Sequence, residues 1–332
     1  MYSEKKAVDV KISILMICYN QEQYISEALD SALNQTQLPY EIVISDDCST
    51  DKTWPLILKY QSEYPKLIKA YRNDVNIGIY RNYEKIKNYY SGNIGCFLSG
   101  DDLIATSAIQ DLHHGIIEHQ LNPDKEKFIF VTNNYLLYPN GSLKKWDNYK
   151  LRDDDPFKCK IRGDLSYRGF GISKGVLDST MSTVDMVREF QDILYGVDTI
   201  KGIEEIIECD RLIFSNKYSV FYRTGVGVSS RQGEHEHVYL AALNLHDVLI
   251  NRYAGMLDKS DINYLEFLKV SNVYRYSPSL KNFVSVIYHY IRNINNFSYN
   301  NGSFNNLKNI IPPSIAKFIK KNIYPFVMRL KS

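Results

Sequence analysis

Two short acidic stretches hold the residue types best suited to chemistry: Asp46-Asp47-Cys48-Ser49-Thr50-Asp51 and Ser99-Gly100-Asp101-Asp102. Adjacent carboxylates such as Asp101 and Asp102 are hard oxygen ligands. Mg²⁺ or Mn²⁺ takes one or two of them and fills the rest of its shell from phosphate and water. Such a cation neutralises the charge on a departing diphosphate better than protein donors alone. Gly100 leaves room for a ligand to come close. Asp47, at the end of the other stretch's strand, can accept hydrogen bonds from a base N–H or a ribose hydroxyl. Each piece alone has a plain alternative. Gly-Asp-Asp is also a common solvated turn, and Asp46 to Asp51 reads equally as a turn plus helix cap.

The elements around these clusters decide whether they can meet. Ile12 to Cys18 is an almost unbroken apolar run, the pattern of a parallel strand buried on both faces. Ile25, Ala28, Leu29, Ala32 and Leu33 recur at helical spacing up to about Gln35. A second apolar strand, Glu41 to Ser45, runs into the first acidic cluster, and Ser49 or Thr50 is expected to cap the next helix, with Pro55 in its first turn. A short strand is expected at Lys69 to Tyr71, then a polar loop with Asn76 and Gly78, and a helix from Arg81 to Tyr90. The strand Ile94 to Leu98 delivers the second cluster, and Thr106 can cap a helix reaching His119. Alternating strands and helices imply right-handed crossovers and a mostly parallel, doubly wound α/β sheet with helices on both faces. In such sheets ligands gather outside the carboxyl ends of the strands, where both acidic clusters lie.

Beyond Lys127 the pattern changes. Lys127 to Tyr138 and Leu143 to Trp146 flank Pro139-Asn140-Gly141, a hairpin signature. Residues 150 to 180 read as irregular, 185 to 214 as helical, and 218 to 222 as a strand. Residues 235 to 292 read as two or three helices, a helical C-terminal appendage, and 293 to 309 as an Asn/Ser-rich linker. The segment 311 to 332 alternates lysines with Ile, Phe and Tyr at helical spacing. It suits either an interfacial helix on an anionic leaflet or a helix packed on the protein with its lysines in water. The expected organisation is one domain over 1–232 with halves 1–105 and 106–232, a helical extension over 233–292, and a linker and tail over 293–332.

Composition narrows the class. With 40 basic against 38 acidic residues the net charge is only +2, which argues against a dedicated nucleic-acid binder. Five scattered cysteines form no CxxC or zinc spacing and suit reduced thiols. Residues 1 to 10 lack the apolar core of a signal peptide, and no stretch has the length and apolarity of a membrane span. A cytoplasmic location is expected, with peripheral contact at the inner face of the membrane if the tail binds lipid. Glycine-rich dinucleotide, P-loop and nucleophile-elbow motifs are absent.

Five segments, in this order and spacing, resemble glycosyltransferase family 2, whose members have the GT-A fold. They are Ile12 to Asn20 (ISILMICYN), Glu27 to Gln35, Ile44 to Thr53 (ISDDCSTDKT), Asn76-Ile77-Gly78 with Arg81-Asn82-Tyr83-Glu84, and Phe97 to Asp102 (FLSGDD). The resemblance covers about the first 105 residues. It implies a sugar transferase that uses a nucleoside-diphosphate donor, UDP first and dTDP or GDP as alternatives. It also implies a divalent cation, Mn²⁺ or Mg²⁺, at Asp101 and Asp102. Asp47 matches the nucleobase position, with Asp46 beside it. Ile17, Tyr19, Asn20, Asn76, Gly78, Asn82, Ser99, Gly100 and Asp101 match positions around the nucleotide sugar. Ser99 departs from the family, which usually has an acidic residue there.

Family members usually invert the anomeric centre in one displacement, so one carboxylate must take the acceptor's proton. Counting back from Tyr222-Arg223 places that base at Asp198, although Val197 stands where the family has Glu; Glu204 and Glu205 are the alternatives. His235, His237, Arg223 and Arg231 are further candidates to face metal or phosphate. The implied acceptor is a saccharide or lipid-linked saccharide in surface polysaccharide synthesis. Two rival readings stay open: a catalytically silent nucleotide-sugar-binding subunit, and a nucleotidyltransferase.

Overall fold

The computed structural model describes residues 8–147, 155–161, 165, 169–189, 196–226, 235–276 and 279–292. Arg231, the side chains of His235 and His237, the linker 293–309 and the tail 311–332 lie outside the described residues.

The apolar run Ile12–Cys18 forms strand β1, which lies between two parallel neighbours, β2 (Glu41–Asp46) and β4 (Ile94–Ser99). Strand β3 (Ile68–Arg72) lies parallel beyond β2. Helices α1 (Ile25–Leu33) and α2 (Thr53–Glu63) make the crossovers from β1 to β2 and from β2 to β3. Helix α3 (Ile79–Ile86) then carries the chain back across β2 and β1 to β4. A right-handed crossover in the reverse direction puts α3 on the opposite face from α1 and α2, so the sheet switches direction between β1 and β4.

The apolar period of α1 explains its seat, since Ile25, Ala28, Leu29 and Ala32 are all buried. Helix α4 (Ala108–Glu118), which follows the short strand β5 (Leu103–Ile104), buries Ala108, Ile109, Leu112 and Ile116 in the same core.

The second part of the sheet is mixed. Strand β6 (Phe128–Leu137) pairs antiparallel with β7 (Leu143–Trp146) and with β8 (Gly171–Ser173), and parallel with β9 (Arg211–Arg223). Among the described residues this gives nine strands in the order β3-β2-β1-β4-β8-β6-β9-β5, with β7 on β6. Helices α5 (Pro156–Ile161), α6 (Lys174–Ser179), α7 (Thr183–Glu189) and α8 (Val197–Glu208) fill the connections.

Several local expectations are corrected. Helix α2 starts at Thr53 with Lys52 at its N-cap, and Ser49 is occupied elsewhere: its hydroxyl donates to Asp46 and accepts from the Asn20 N–H. Helix α4 has Ser107, not Thr106, at its cap position. Helix α3 runs from Ile79 to Ile86, ahead of the expected span. Residues 150–180, expected to be irregular, include α5, β8 and α6. Residues 211–214 are strand instead of helix, because Arg211 to Phe214 pair in register with Phe128 to Val131 and sheet pairing overrides a short apolar run's helical period.

The chain divides into two compact units, residues 1–191 with 197–232, and residues 192–196 with 233–332. In the second unit, α10 (Lys259–Tyr276) packs on α9 (His235–Arg252) and α11 (Leu280–Arg292). Its core includes Leu249, Tyr253, Leu265, Phe267 and Val286. Asp258 and Asp261 cap α10 reciprocally: Asp258 accepts from the Asp261 N–H at 2.9 Å, and Asp261 from the Asp258 N–H at 3.1 Å. No helix among the described residues is long and apolar enough to cross a membrane.

Candidate active site

Register places the acidic clusters together. Cys18 of β1 pairs with Asp46 of β2, and Ile17 pairs with Ser99 of β4, so the acidic tips flank the end of β1. Two strand spacings of about 4.8 Å put them roughly 10 Å apart, a nucleotide's scale.

At the β2 tip both carboxylates are buried and hydrogen-bonded. Asp46, with no exposure, accepts from the Ser49 N–H at 3.0 Å and the Ser49 hydroxyl, and pairs with Arg72 Nε at 3.3 Å. Asp47 Oδ1 accepts from Asn73 Nδ2 at 2.8 Å and the Ile77 N–H at 2.9 Å, while Oδ2 accepts from the Gly78 N–H at 2.8 Å. A carboxylate has about four acceptor sites, so these bonds leave one. Gly78 sits at φ 84°, a left-handed conformation that lets its N–H turn toward Asp47 as α3 begins. Asn82 is buried too. Its side chain donates to the Ser45 carbonyl at 2.9 Å and accepts from Asn73 at 3.0 Å and from the Ser45 hydroxyl at 2.6 Å. Asn20, left-handed at φ 51°, accepts from the Thr50 N–H at 2.8 Å and ties the end of β1 to this loop. Tyr19 and Asn76 are exposed.

At the β4 tip, Ser99 donates its hydroxyl to Asp101 Oδ1, and the Asp102 N–H closes the turn on the Ser99 carbonyl at 3.0 Å. A Cβ on Gly100 would stand 2.3 Å from Gln21 Oε1 and 2.8 Å from Cys18 Cβ. Its bare backbone therefore serves the packing of this turn on β1 and the start of α1. Arg223 holds the turn from β9: its N–H donates to Asp102 Oδ1 at 2.8 Å and its Nε to the Asp101 carbonyl at 2.8 Å. The guanidinium also pairs with Glu27 at 2.8 Å and lies 4.8 Å from the Tyr24 ring centroid. The Arg223 side chain thus acts as a brace within the fold.

A cavity of about 250 Å³ opens beside this turn. Ile17, Ser99 and Asp102 line it from the strand tips, and Asp198, Lys201 and Glu205 from α8. The walls between are largely apolar, with Tyr83 stacked on Phe97 at 4.2 Å. Asp198 is exposed in the first turn of α8 and accepts from the Thr199 N–H at 2.9 Å. Lys201, one turn on, is buried. Its ammonium donates to the Thr180 hydroxyl and, at 3.0 Å, to the Met181 carbonyl. Burial pulls the Lys201 ammonium below its ordinary range, opposed chiefly by the Glu205 charge. Burial likewise pushes the Tyr83 hydroxyl well up, helped by Glu205 and Glu84.

Of the site residues expected from sequence, this cavity joins Ile17, Ser99, Asp102, Asp198 and Glu205. Asp46, Asp47 and Asn82 are outside its lining and hold the β2 tip and the 73–78 loop. Asn20, Tyr19, Asn76, Gly78, Gly100, Asp101 and Glu204 are not in its lining. Lys201, Tyr83 and Tyr222 also line the cavity and were not among the expected site residues; Tyr83 and Tyr222 stand in segments used for the resemblance, whereas a lone Lys in a helix carries no motif.

Among the described residues no three His, Cys, Asp or Glu side chains converge on a common point. Asp101 and Asp102 offer the one or two carboxylates that Mg²⁺ or Mn²⁺ uses when phosphate and water supply the remainder. The donor set therefore fits a cation that arrives with a nucleotide.

The switch point between β1 and β4, with carboxylates at both flanking tips, matches the GT-A type of fold. Residues 13–123, about a third of the chain, match the family model described as glycosyl transferase family 2. An uncharacterised protein of Mycobacterium tuberculosis is 40% identical over 92 residues, 27% of this chain and 27% of its own. Glycosyltransferase GlyA of Streptococcus pneumoniae is 23% identical over 285 residues, 80% of this chain and 38% of its own. The matches thus span only 27% to 38% of these curated relatives' lengths. A crystal structure of Staphylococcus aureus TarS residues 1–349 with UDP-GlcNAc has the same fold, with a TM-score of 0.56 at 18% identity over 86% of this chain and 81% of that one. In sequence, the poly(ribitol-phosphate) beta-N-acetylglucosaminyltransferase TarS is 32% identical over 113 residues, 33% of this chain and 19% of its own.

Proposed function

We propose that this chain transfers a sugar from a nucleoside-diphosphate donor, UDP first, to a saccharide or lipid-linked saccharide in surface polysaccharide synthesis. The observation that carries this reading is one cavity lined both by the strand-tip residues Ser99 and Asp102 and by Asp198 at the start of α8. The TarS relative, named for N-acetylglucosamine transfer and solved with UDP-GlcNAc, supports the choice of UDP.

In this reading Asp47's remaining acceptor site meets the base, and the 73–78 loop that Asp47 organises borders the nucleotide. Asp102, which lines the cavity, would hold the cation together with Asp101, whose carboxylate Ser99 fixes. A bound Mg²⁺ or Mn²⁺ supplies charge neutralisation to the leaving diphosphate. Asp198 takes the acceptor hydroxyl's proton as that oxygen bonds to the anomeric carbon. The carbon–phosphate-oxygen bond breaks on the opposite side, and the diphosphate leaves with the electron pair, inverting the centre. Asp198 is favoured over Glu204, which is off the cavity lining, and over Glu205, which is buried beside Lys201.

The test is a donor screen with Mn²⁺ or Mg²⁺ and saccharide acceptors, following release of nucleoside diphosphate. Release with a UDP-sugar, lowered by about a hundredfold or more in Asp198→Ala, is expected. Nucleotide binding with no transfer to any acceptor would favour a silent subunit, and full turnover in Asp198→Ala would move the base elsewhere.

A further inference from the structure

We infer that Trp146, on the β7 edge, is a stacking platform for a saccharide ring entering the cavity beside it. This deepens the proposed function by placing part of the acceptor.

Strand alternation sorts the side chains of the β6–β7–β9 ribbon onto two faces. Asn134 of β6 pairs in register with both Trp146 of β7 and Val220 of β9, so these three share a face. Leu136, two residues on, pairs with Lys144 and Tyr222, which puts those on the same face. Asn134, Val220 and Tyr222 all line the cavity, so this is the cavity face. The opposite face is closed on itself. Tyr135 stacks on Phe221 at 5.0 Å and lies 4.8 Å from Tyr218, and Lys145 covers Tyr218 at 4.9 Å.

Trp146 is therefore the exposed aromatic ring of the cavity face, at 36% exposure, and it meets Tyr222 edge to face at 6.0 Å. That contact fixes the indole without covering it. A pyranose ring presents an apolar C–H face and a rim of hydroxyls. An indole plane matches the face, while Asn134 in the lining and the exposed Lys144 offer polar partners for the rim. An exposed tryptophan on an edge strand is otherwise open to pairing with another chain. Its continuity with Tyr222, which reaches the cavity, points to substrate as the occupant.

The protein has two tryptophans, and the other, Trp54, lies in α2 under Arg72. The full chain with Trp54→Phe makes Trp146 the sole indole reporter. The probes are tetrasaccharides of glucose, galactose and N-acetylglucosamine, titrated to millimolar concentration without donor, with UDP binding measured separately by calorimetry. At least one tetrasaccharide is expected to change Trp146 emission saturably. In the protein with Trp54 intact, Trp146→Ala weakens that tetrasaccharide's calorimetric affinity about tenfold and Trp146→Tyr restores most of it, with UDP affinity unchanged in both. Unchanged emission with all three probes, or equal glycan affinity in Trp146→Ala, overturns the platform. Loss of UDP binding in the wild-type chain would instead sink the proposed function, and glycan quenching would still be read on its own.

Discussion

At the scale of single residues, the clusters that look catalytic divide their labour between building and binding. Asp46 and Asp47 form one continuous acidic stretch with Asp51, yet Asp46 is wholly buried and bonded to Ser49 and Arg72. Asp47 organises Ile77 and Gly78 while keeping an acceptor site. Sequence reasoning finds such residues because carboxylates at strand ends are distinctive, but it cannot tell a ligand contact from a loop anchor. Both need the same residue type. Gly100 shows the same limit: room for a ligand and room for Cys18 and Gln21 leave the same glycine in the sequence. The packing account predicts that Gly100→Ala lowers stability by about 2 kcal/mol through overpacking, read as a lower thermal midpoint. An unchanged midpoint would mean that the turn has space the structure denies it.

At the scale of elements, the parallel half was legible because buried parallel strands announce themselves as apolar runs and α1 and α4 carry clear periods. The half after Lys127 was less so. Residues 211–214 contain too few contiguous apolar residues to declare a strand, and only pairing with Phe128 to Val131 makes them one. Tyr222 lies in the strand expected at 218 to 222; what the sequence does not show is its pairing with Leu136, which carries it to the cavity. Lys201 was hidden differently, as a charged residue on the buried face of a helix.

The amino end of β2, opposite its acidic tip, offers an electrostatic test. Glu41, at the start of β2, is buried and accepts from Lys69 Nζ at 2.6 Å, the Ser91 N–H at 2.5 Å and the Ser13 hydroxyl at 2.8 Å. Burial alone would raise its carboxyl, but these three donors outweigh burial and hold it below the ordinary 4.5. The folded state therefore binds this proton less tightly than the unfolded state. The resulting stability is complete above the unfolded value near 4.5 and is lost as pH falls through the lower folded value. Glu41→Gln should cost about 2 kcal/mol at neutral pH, mainly through the buried Ser13 and Ser91 bonds because Lys69 is half exposed. The gap to wild type should narrow below pH 4.5 in thermal melts, and a gap independent of pH would contradict this account.

At the scale of the whole molecule, the β4 tip and the start of α8 come from well-separated parts of the first unit's sequence and share one cavity. Their separation of nearly a hundred residues explains why the strand-tip carboxylates could be placed from local pattern while the α8 carboxylate needed a count from Tyr222-Arg223. It also gives the two carboxylates separable jobs. Asp102 should govern the cation-dependent hold on the diphosphate, and Asp198 the proton of the incoming hydroxyl.

The most direct test is calorimetric titration of UDP with Mn²⁺ present, run on the wild-type chain, Asp102→Asn and Asp198→Asn, with turnover of a UDP-sugar measured beside it. The account predicts that Asp102→Asn weakens Mn²⁺-dependent UDP binding by about tenfold or more, while Asp198→Asn binds UDP like wild type and loses turnover. UDP binding that ignores both Mn²⁺ and Asp102→Asn, or turnover that survives in Asp198→Asn, would contradict it.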